Sequence, residues 1–220
     1  MNNKKLISIS DLFKKSFDFY KNNIKILLGV ALIGYIPILI AYLLEIEESL
    51  SLVSWILFLI IFVLNFLTYI AFFYVIKETK EGVSEKNYIE RIKRLFAKAS
   101  GNIFPVFLIS LLSFLCIIGG LILFIIPGII FATWFVFSNY AFIFEGTKGK
   151  KALLQSKELV KGYWWPVFLR FLLICIFSAL VSLIPFFGDI LNFLLINPLC
   201  VIFGYFIYED LKTIKSSNLL

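Results

Sequence analysis

Apolar and polar residues fall along this chain in long blocks rather than one by one. Apolar runs at residues 24–44, 52–76, 103–125, 129–144, 166–184 and 190–208 are separated by shorter polar stretches. Most of them are close to the roughly 20 residues a helix needs to cross a bilayer. Three of the polar stretches carry a helical period. Residues 8–23 place Leu12, Phe13, Phe17 and Tyr20 on one face, with Lys14, Lys15, Asp18 and Lys21 mostly opposite. Residues 85–100 set Tyr88, Ile92, Leu95, Phe96 and Ala99 against Arg91, Lys93, Arg94 and Lys98. Residues 147–162 gather Ala152, Leu153, Leu159, Val160 and Tyr163, while Lys150, Lys151, Lys157, Glu158 and Lys161 lie mostly elsewhere. Ser10 and Ser84 are the expected N-caps of the first two helices, and Gly101 suits the end of the second.

Between Ile103 and Phe144 there is no charged residue. A straight helix of that length would measure about 63 Å, twice the hydrocarbon thickness of about 30 Å, so the run folds back on itself. Gly119-Gly120 and Pro127-Gly128 compete for the turn. An internal repeat chooses between them. Ile103–Leu108 matches Trp164–Leu169 with PVFL identical, and Gly101 falls on Gly162. The same offset brings Gly188-Asp189 onto Pro127-Gly128. The N-terminal segment joins the pattern, with Ser16 on Ser156, Lys21 on Lys161 and the Glu45–Glu48 loop on Pro185–Gly188. The turn is accordingly expected at 126–128. Each unit closes on aromatic residues and an acid, at Glu78, Glu145 and Asp210. The expected fold is an all-α polytopic membrane protein, one integral domain over 1–220. It would be built from three pseudo-repeats at 5–78, 84–145 and 147–210, each an amphipathic helix plus a two-span hairpin.

Composition changes the class of protein under consideration. Of 220 residues 61% are hydrophobic and the mean hydropathy is +0.97, where soluble domains use about 45–50% apolar residues. A net charge of +7 would point to nucleic acid in a soluble chain. Here the basic residues flank apolar spans, so orientation and anionic lipid headgroups account for them and no nucleic-acid partner is expected. Lysines and arginines crowd the segments before span 1, between spans 2 and 3, between spans 4 and 5, and after span 6. The opposite loops carry only Glu45, Glu47, Glu48 and Asp189. Both termini and all three amphipathic helices are therefore expected in the cytoplasm. Met1–Lys25 has no apolar core with a cleavage site. The expectation is a multi-pass protein of the cytoplasmic membrane without a cleavable signal peptide.

Candidate chemistry is sparse. Histidine is absent, and the cysteines at 116, 175 and 200 sit in apolar runs without CxxC spacing. No catalytic residue, metal or cofactor is expected. Polar residues within the spans are Asn65, Thr68, Asn139, Asn192, Asn197 and Arg170. The asparagines either line a polar cavity or make interhelical hydrogen bonds. Arg170 either snorkels to headgroups or binds a lipid or substrate phosphate. The densest constellation joins Glu145, Lys148, Lys150, Lys151, Ser156, Lys157, Lys161 and Trp164-Trp165. One reading is a solvated basic helix lying on headgroups beside an aromatic anchor. The other has Glu145 paired with a neighbouring cation to lock span 4, with Ser156 hydrogen-bonding at the junction between units. Pro127-Gly128 is a turn or a gate. Lys150, Lys151, Lys157 and Arg170 are the expected lipid or partner contacts.

Ile126–Ile130, Glu145-Gly146, Ala152-Leu153, Ser156, Leu159–Gly162 and Trp165 form the pattern IPGII, then EG, then ALxxSxxLVKGxxW. This pattern resembles the membrane domain attached to some glycerophosphoryl diester phosphodiesterases, and that of related small prokaryotic membrane proteins. The opening LFKKSFDFYKNNIKILL is similar to that family's N-terminal segment. The resemblance covers nearly the whole chain, with its specific motifs inside 126–168. It implies a six-span prokaryotic membrane protein in which Pro127, Gly128, Glu145, Gly146, Ser156, Lys161, Gly162 and Trp165 are family positions. The phosphodiesterase reaction belongs to a separate barrel that uses histidines and metal-binding carboxylates, so residues 1–220 do not carry it.

Three functions are open at this point. The first is a non-enzymatic scaffold or accessory protein that contacts a membrane or cytoplasmic partner, or anionic lipid, through its amphipathic helices. The second is a small-molecule permease, and the third a lipid-modifying enzyme.

Overall fold

A computed structural model describes residues 5–43, 52–83, 87–185 and 187–217 of the chain. The expected acidic loop at Glu45–Glu48 and the expected cap Ser84 lie outside them. Among the described residues the structure is helical, with no strand. The helices are α1 (Ile9–Asn22), α2 (Ile24–Leu43), α3 (Leu52–Lys80), α4 (Tyr88–Gly101), α5 (Ile103–Leu123) and α6 (Ile125–Phe135). They continue with α7 (Ser138–Glu145), α8 (Lys150–Val160), α9 (Trp164–Ser182), α10 (Gly188–Leu191), a π-helical turn at Asn192–Ile196, and α11 (Asn197–Ser217). Among the described residues six helical segments are long and apolar enough to cross a membrane: Ile24–Tyr42, Leu52–Lys80, Ile103–Leu123, Ile125–Glu145, Trp164–Ser182 and Gly188–Ser217.

The amphipathic helices form where the period indicated, with local differences. Ser8 rather than Ser10 caps α1: its hydroxyl accepts from the Asp11 amide at 3.1 Å and donates to the Asp11 carboxylate at 2.6 Å. Leu12, Ser16 and Tyr20 form the buried stripe of α1, while Phe17 is 60% exposed. Asn87 caps α4 by accepting from the Ile89 amide. On α8, Ala152, Leu153, Ser156, Leu159 and Val160 are buried.

The turn between spans 3 and 4 falls at Phe124, whose backbone is extended, ahead of the expected 126–128. Pro127 instead sits in the first turn of α6, where its missing N–H has no helical acceptor to lose. Gly120 and Gly128 make the tight hairpin feasible. A β-carbon on Gly120 would lie 2.9 Å from the Gly128 amide nitrogen, so the two backbones meet where neither residue has a side chain.

The chain divides into two compact units. One comprises Met1–Phe19, Phe104–Leu180 and Leu199–Leu220; the other comprises Tyr20–Ile103 and Val181–Pro198. This grouping departs from the sequence units 5–78, 84–145 and 147–210. In the second unit α4 packs on α2 and α3, and in the first α8 packs on α6 and α7. An amphipathic helix thus lies against the hairpin that precedes it in the chain. Burial within the spans is uneven as well. In α3, Ile70–Ile76 and Glu78 are buried, whereas Leu52, Trp55, Phe58 and Leu59 are at least 60% exposed. Exposed apolar side chains of this kind suit contact with lipid, where they meet no water.

Candidate functional site

The acids that close the hairpins organise the polar architecture. Glu78 lies near the end of α3, whose 29 residues span about 43 Å and therefore outreach a hydrocarbon core of about 30 Å. Its side chain is 0% exposed, and three cations of α4 surround it. Arg94 donates through Nε and Nη2 at 3.1 and 3.3 Å, and Lys98 through Nζ at 2.8 Å. Arg91 Nε stands 3.6 Å away. The spacings of three and four residues put all three on one helical stripe. Arg91 also donates from Nη2 to the Thr79 hydroxyl at 3.1 Å, and Thr79 donates to the Asn23 side-chain carbonyl at 3.2 Å. The start of α2, the end of α3 and α4 are joined by this chain.

Glu145 is held differently. It ends α7, and Gly146 closes that helix in the left-handed region at φ 74°. Its carboxylate accepts from the Tyr208 hydroxyl and the Gln155 side-chain amide, and pairs with Lys212 Nζ at 3.0 Å. Gln155 belongs to α8, whereas Tyr208 and Lys212 belong to α11. Tyr140, Phe144, Tyr205 and Tyr208 pack beside it with ring centroids 4.8–6.4 Å apart. Tyr140 donates to the Val201 carbonyl at 2.9 Å. Gly204 leaves room for that hydroxyl, since a β-carbon there would meet it at 2.3 Å.

Asp210, the third acid, accepts from the Ile7 amide at 2.7 Å. Arg170 donates to the Ile7 and Pro166 carbonyls. The chain just before α1 is thereby bound between α9 and α11. Arg170 is 8% exposed. Its guanidinium donates to backbone carbonyls inside the protein. A carbonyl of the helix's own first turn and one from residue 7 accept from Nη1 and Nη2, while Nε is buried without a hydrogen-bond partner.

Ser156, fully buried on α8, performs a task that the sequence concealed. Span 4 breaks between Phe135 and Ser138, which leaves backbone groups without helical partners. Ser156 Oγ accepts from the Phe137 amide at 3.0 Å and donates to the Trp134 carbonyl at 2.6 Å. No Gly or Pro occurs between Trp134 and Ser138 to signal the break. The sole clue was a hydroxyl on the apolar face of α8. The π-helical turn in span 6 does have a signal, because Pro198 follows it. Widening the preceding turn relieves the clash a proline ring makes with the carbonyl four residues back.

The remaining expected positions separate by role. Lys157 Nζ lies 4.4 Å from the Trp134 ring centroid, a cation–π contact. Lys150 and Lys151 border an open depression of about 540 Å³ with Glu145, Gly146, Thr147 and Lys148. The Lys161 side chain is 71% exposed and pairs with Glu158 at 3.7 Å, while its carbonyl accepts from Lys215. Gly162 adopts φ 87°. Trp165 is 59% exposed and stacks with Trp164. Asn139 bonds Ser110 of α5 at 3.1 Å and Asn192 bonds Ser182 of α9 at 2.6 Å, whereas Asn65 and Thr68 bond carbonyls of their own helix. Among the described residues no three His, Cys, Asp or Glu side chains gather as a metal site.

The fold defines a class: a helical protein with six span-length apolar helices, whose polar clusters bind its own helices together. No family model, curated protein or solved structure matches the chain.

Proposed function

We propose that this is a non-enzymatic scaffold or accessory protein of the cytoplasmic membrane, with both termini and its amphipathic helices on the cytoplasmic side. The observation that carries the reading is what the polar groups do. Glu78, Glu145, Ser156, Arg170 and Asp210 are all engaged with other parts of the same chain. Exposed positive charge meanwhile remains on the amphipathic helices, as at Lys150 and Lys151. Such a collar suits anionic headgroups or an acidic face of a partner protein.

Three pseudo-repeats support this architecture. The offsets that align PVFL and Ser16 with Ser156 superpose Leu27, Val106 and Val167, which are 0%, 1% and 0% exposed. They also superpose Val30, Ile109 and Arg170, all buried. Glu78 is clasped by the amphipathic helix of the next unit and Glu145 by that of the unit after. Asp210 is bound by the segment that opens the first. Kinship with the membrane domain of glycerophosphoryl diester phosphodiesterases belongs to the same proposal and rests on the motifs of residues 126–168.

The test is Lys150→Glu with Lys151→Glu, leaving Lys157 on Trp134. Proteins and phospholipids that co-purify in mild detergent would be measured by mass spectrometry. Release of a bound protein or of anionic lipid is expected; an unchanged profile of both sinks the reading. A permease is the second reading, favoured by the interruptions in spans 4 and 6 near Asn139 and Asn192. Proteoliposome uptake abolished by Asn139→Leu or Asn192→Leu would establish it over the scaffold.

A further inference from the structure

A cavity of about 290 Å³ lies at the corner where α1 runs into α2, lined by residues 21–26 together with Tyr88 and Arg91 of α4. Ligand pockets generally range over about 300–1,000 Å³, so this one suits a small group. Its lining supplies Lys21, Lys25 and Arg91 and includes no carboxylate. The depression beside Lys150 differs here, because Glu145 forms part of its wall. Among the described residues neither Lys21 nor Lys25 makes an ion pair. Arg91 is held in place, with its side chain 13% exposed, Nη2 on Thr79 and Nε facing Glu78 at 3.6 Å. Arg94 and Lys98 already occupy that carboxylate at hydrogen-bond distance. A guanidinium has five N–H donors, so Arg91 retains capacity for an incoming acceptor.

The matching corners of the other two units sharpen the point. Lys25 falls at the position of Phe104 and Trp165, which are 67% and 59% exposed. Two corners present an aromatic side chain of the kind that sits at headgroup level. The first presents a lysine at that sequence position, four residues from a second lysine across the corner and beside a fixed arginine. We propose that this corner binds a phosphate-bearing anion, the headgroup phosphate of an anionic phospholipid. The inference rests on the reading of the amphipathic helices as membrane-surface elements.

The experiment titrates the full-length protein in detergent with short-chain phosphatidylglycerol, short-chain phosphatidylcholine and inorganic phosphate. Melting temperature and native mass spectrometry are the readouts. Lys21→Gln with Lys25→Gln removes the charge. Lys25→Trp installs the aromatic that its counterpart carries, and so keeps an interfacial anchor in a folded protein. Phosphatidylglycerol is expected to stabilise the wild type saturably and to be retained as one bound molecule, with phosphatidylcholine inert. The double variant should bind about thirtyfold more weakly, from loss of two near-surface cations. An equal response to inorganic phosphate, lost in the same variants, keeps the site and assigns it to soluble phosphate. Equal response to both lipids, or unchanged binding in both variants, overturns it. Run in parallel, Lys150→Glu with Lys151→Glu separates the two readings. An effect there with none at the corner leaves the collar and removes the site; the reverse leaves the site and removes the role of α8.

Discussion

Glu78 and Glu145 each lie at or near the end of a hairpin, yet the helices that clasp them use different chemistry. Around Glu78 one helix supplies three cations to a carboxylate sealed from solvent. Around Glu145 two helices supply a phenol, an amide and one lysine, and the carboxylate is 24% exposed. A buried charge needs opposite charge at good geometry, or it costs several kcal/mol. A partly exposed one is served by neutral donors and water. The first arrangement bolts α4 to α3 and leaves surplus positive charge on the same stripe. The second is a junction of three helices that is close to neutral.

That difference predicts a graded response, read as melting of the purified protein in detergent. Glu78→Ala should be the most damaging, at about 3 kcal/mol, because three cations lose their common partner. A loss no greater than that of Glu145→Ala would erase the distinction. Next comes Ser156→Ala, which strips both hydrogen bonds from the break in span 4 and leaves a buried amide unsatisfied, at about 1–3 kcal/mol. Faster hydrogen exchange at the Phe137 amide is the local check; unchanged exchange there would mean that another group caps the break. Tyr208→Phe removes one neutral donor from Glu145 and should cost about 1 kcal/mol. The smallest effect belongs to Lys212→Gln, below about 1 kcal/mol and fading with added salt, because that lysine is 56% exposed. If Lys212→Gln rivalled Tyr208→Phe in high salt, Glu145 would be a charge clasp like Glu78.

Much of this arrangement was legible from residue order. The three amphipathic helices followed from spacing such as Leu95 to Ala99 and Leu159-Val160, because one of their faces meets a polar surface and the other does not. The acids at 78, 145 and 210 stood out as charges at the ends of uncharged runs. The break at Phe137 was silent, since Trp134–Ser138 contains only residues that are at home in a helix. Arg170 was legible as a polar residue near the start of a span, but its bond to a carbonyl 163 residues away was not. The turn at Phe124 was missed by a few residues. Pro127 marks a helix start as well as it marks a turn, and Gly120 and Gly128 belong to the crossing rather than to the bend.

The sequence alone determined six long apolar segments, three amphipathic helices and the charge at each boundary. These are local properties, set by how far a run of side chains can go before it requires water. The tertiary structure decided which helix docks on which hairpin, where span 4 breaks, and that Ile7 is bound between Arg170 and Asp210. Within lipid, both faces of a span are apolar, so periodicity does not mark the face that meets another helix. Those pairings depend on backbone approach at glycines and on hydrogen bonds between residues as many as 203 positions apart.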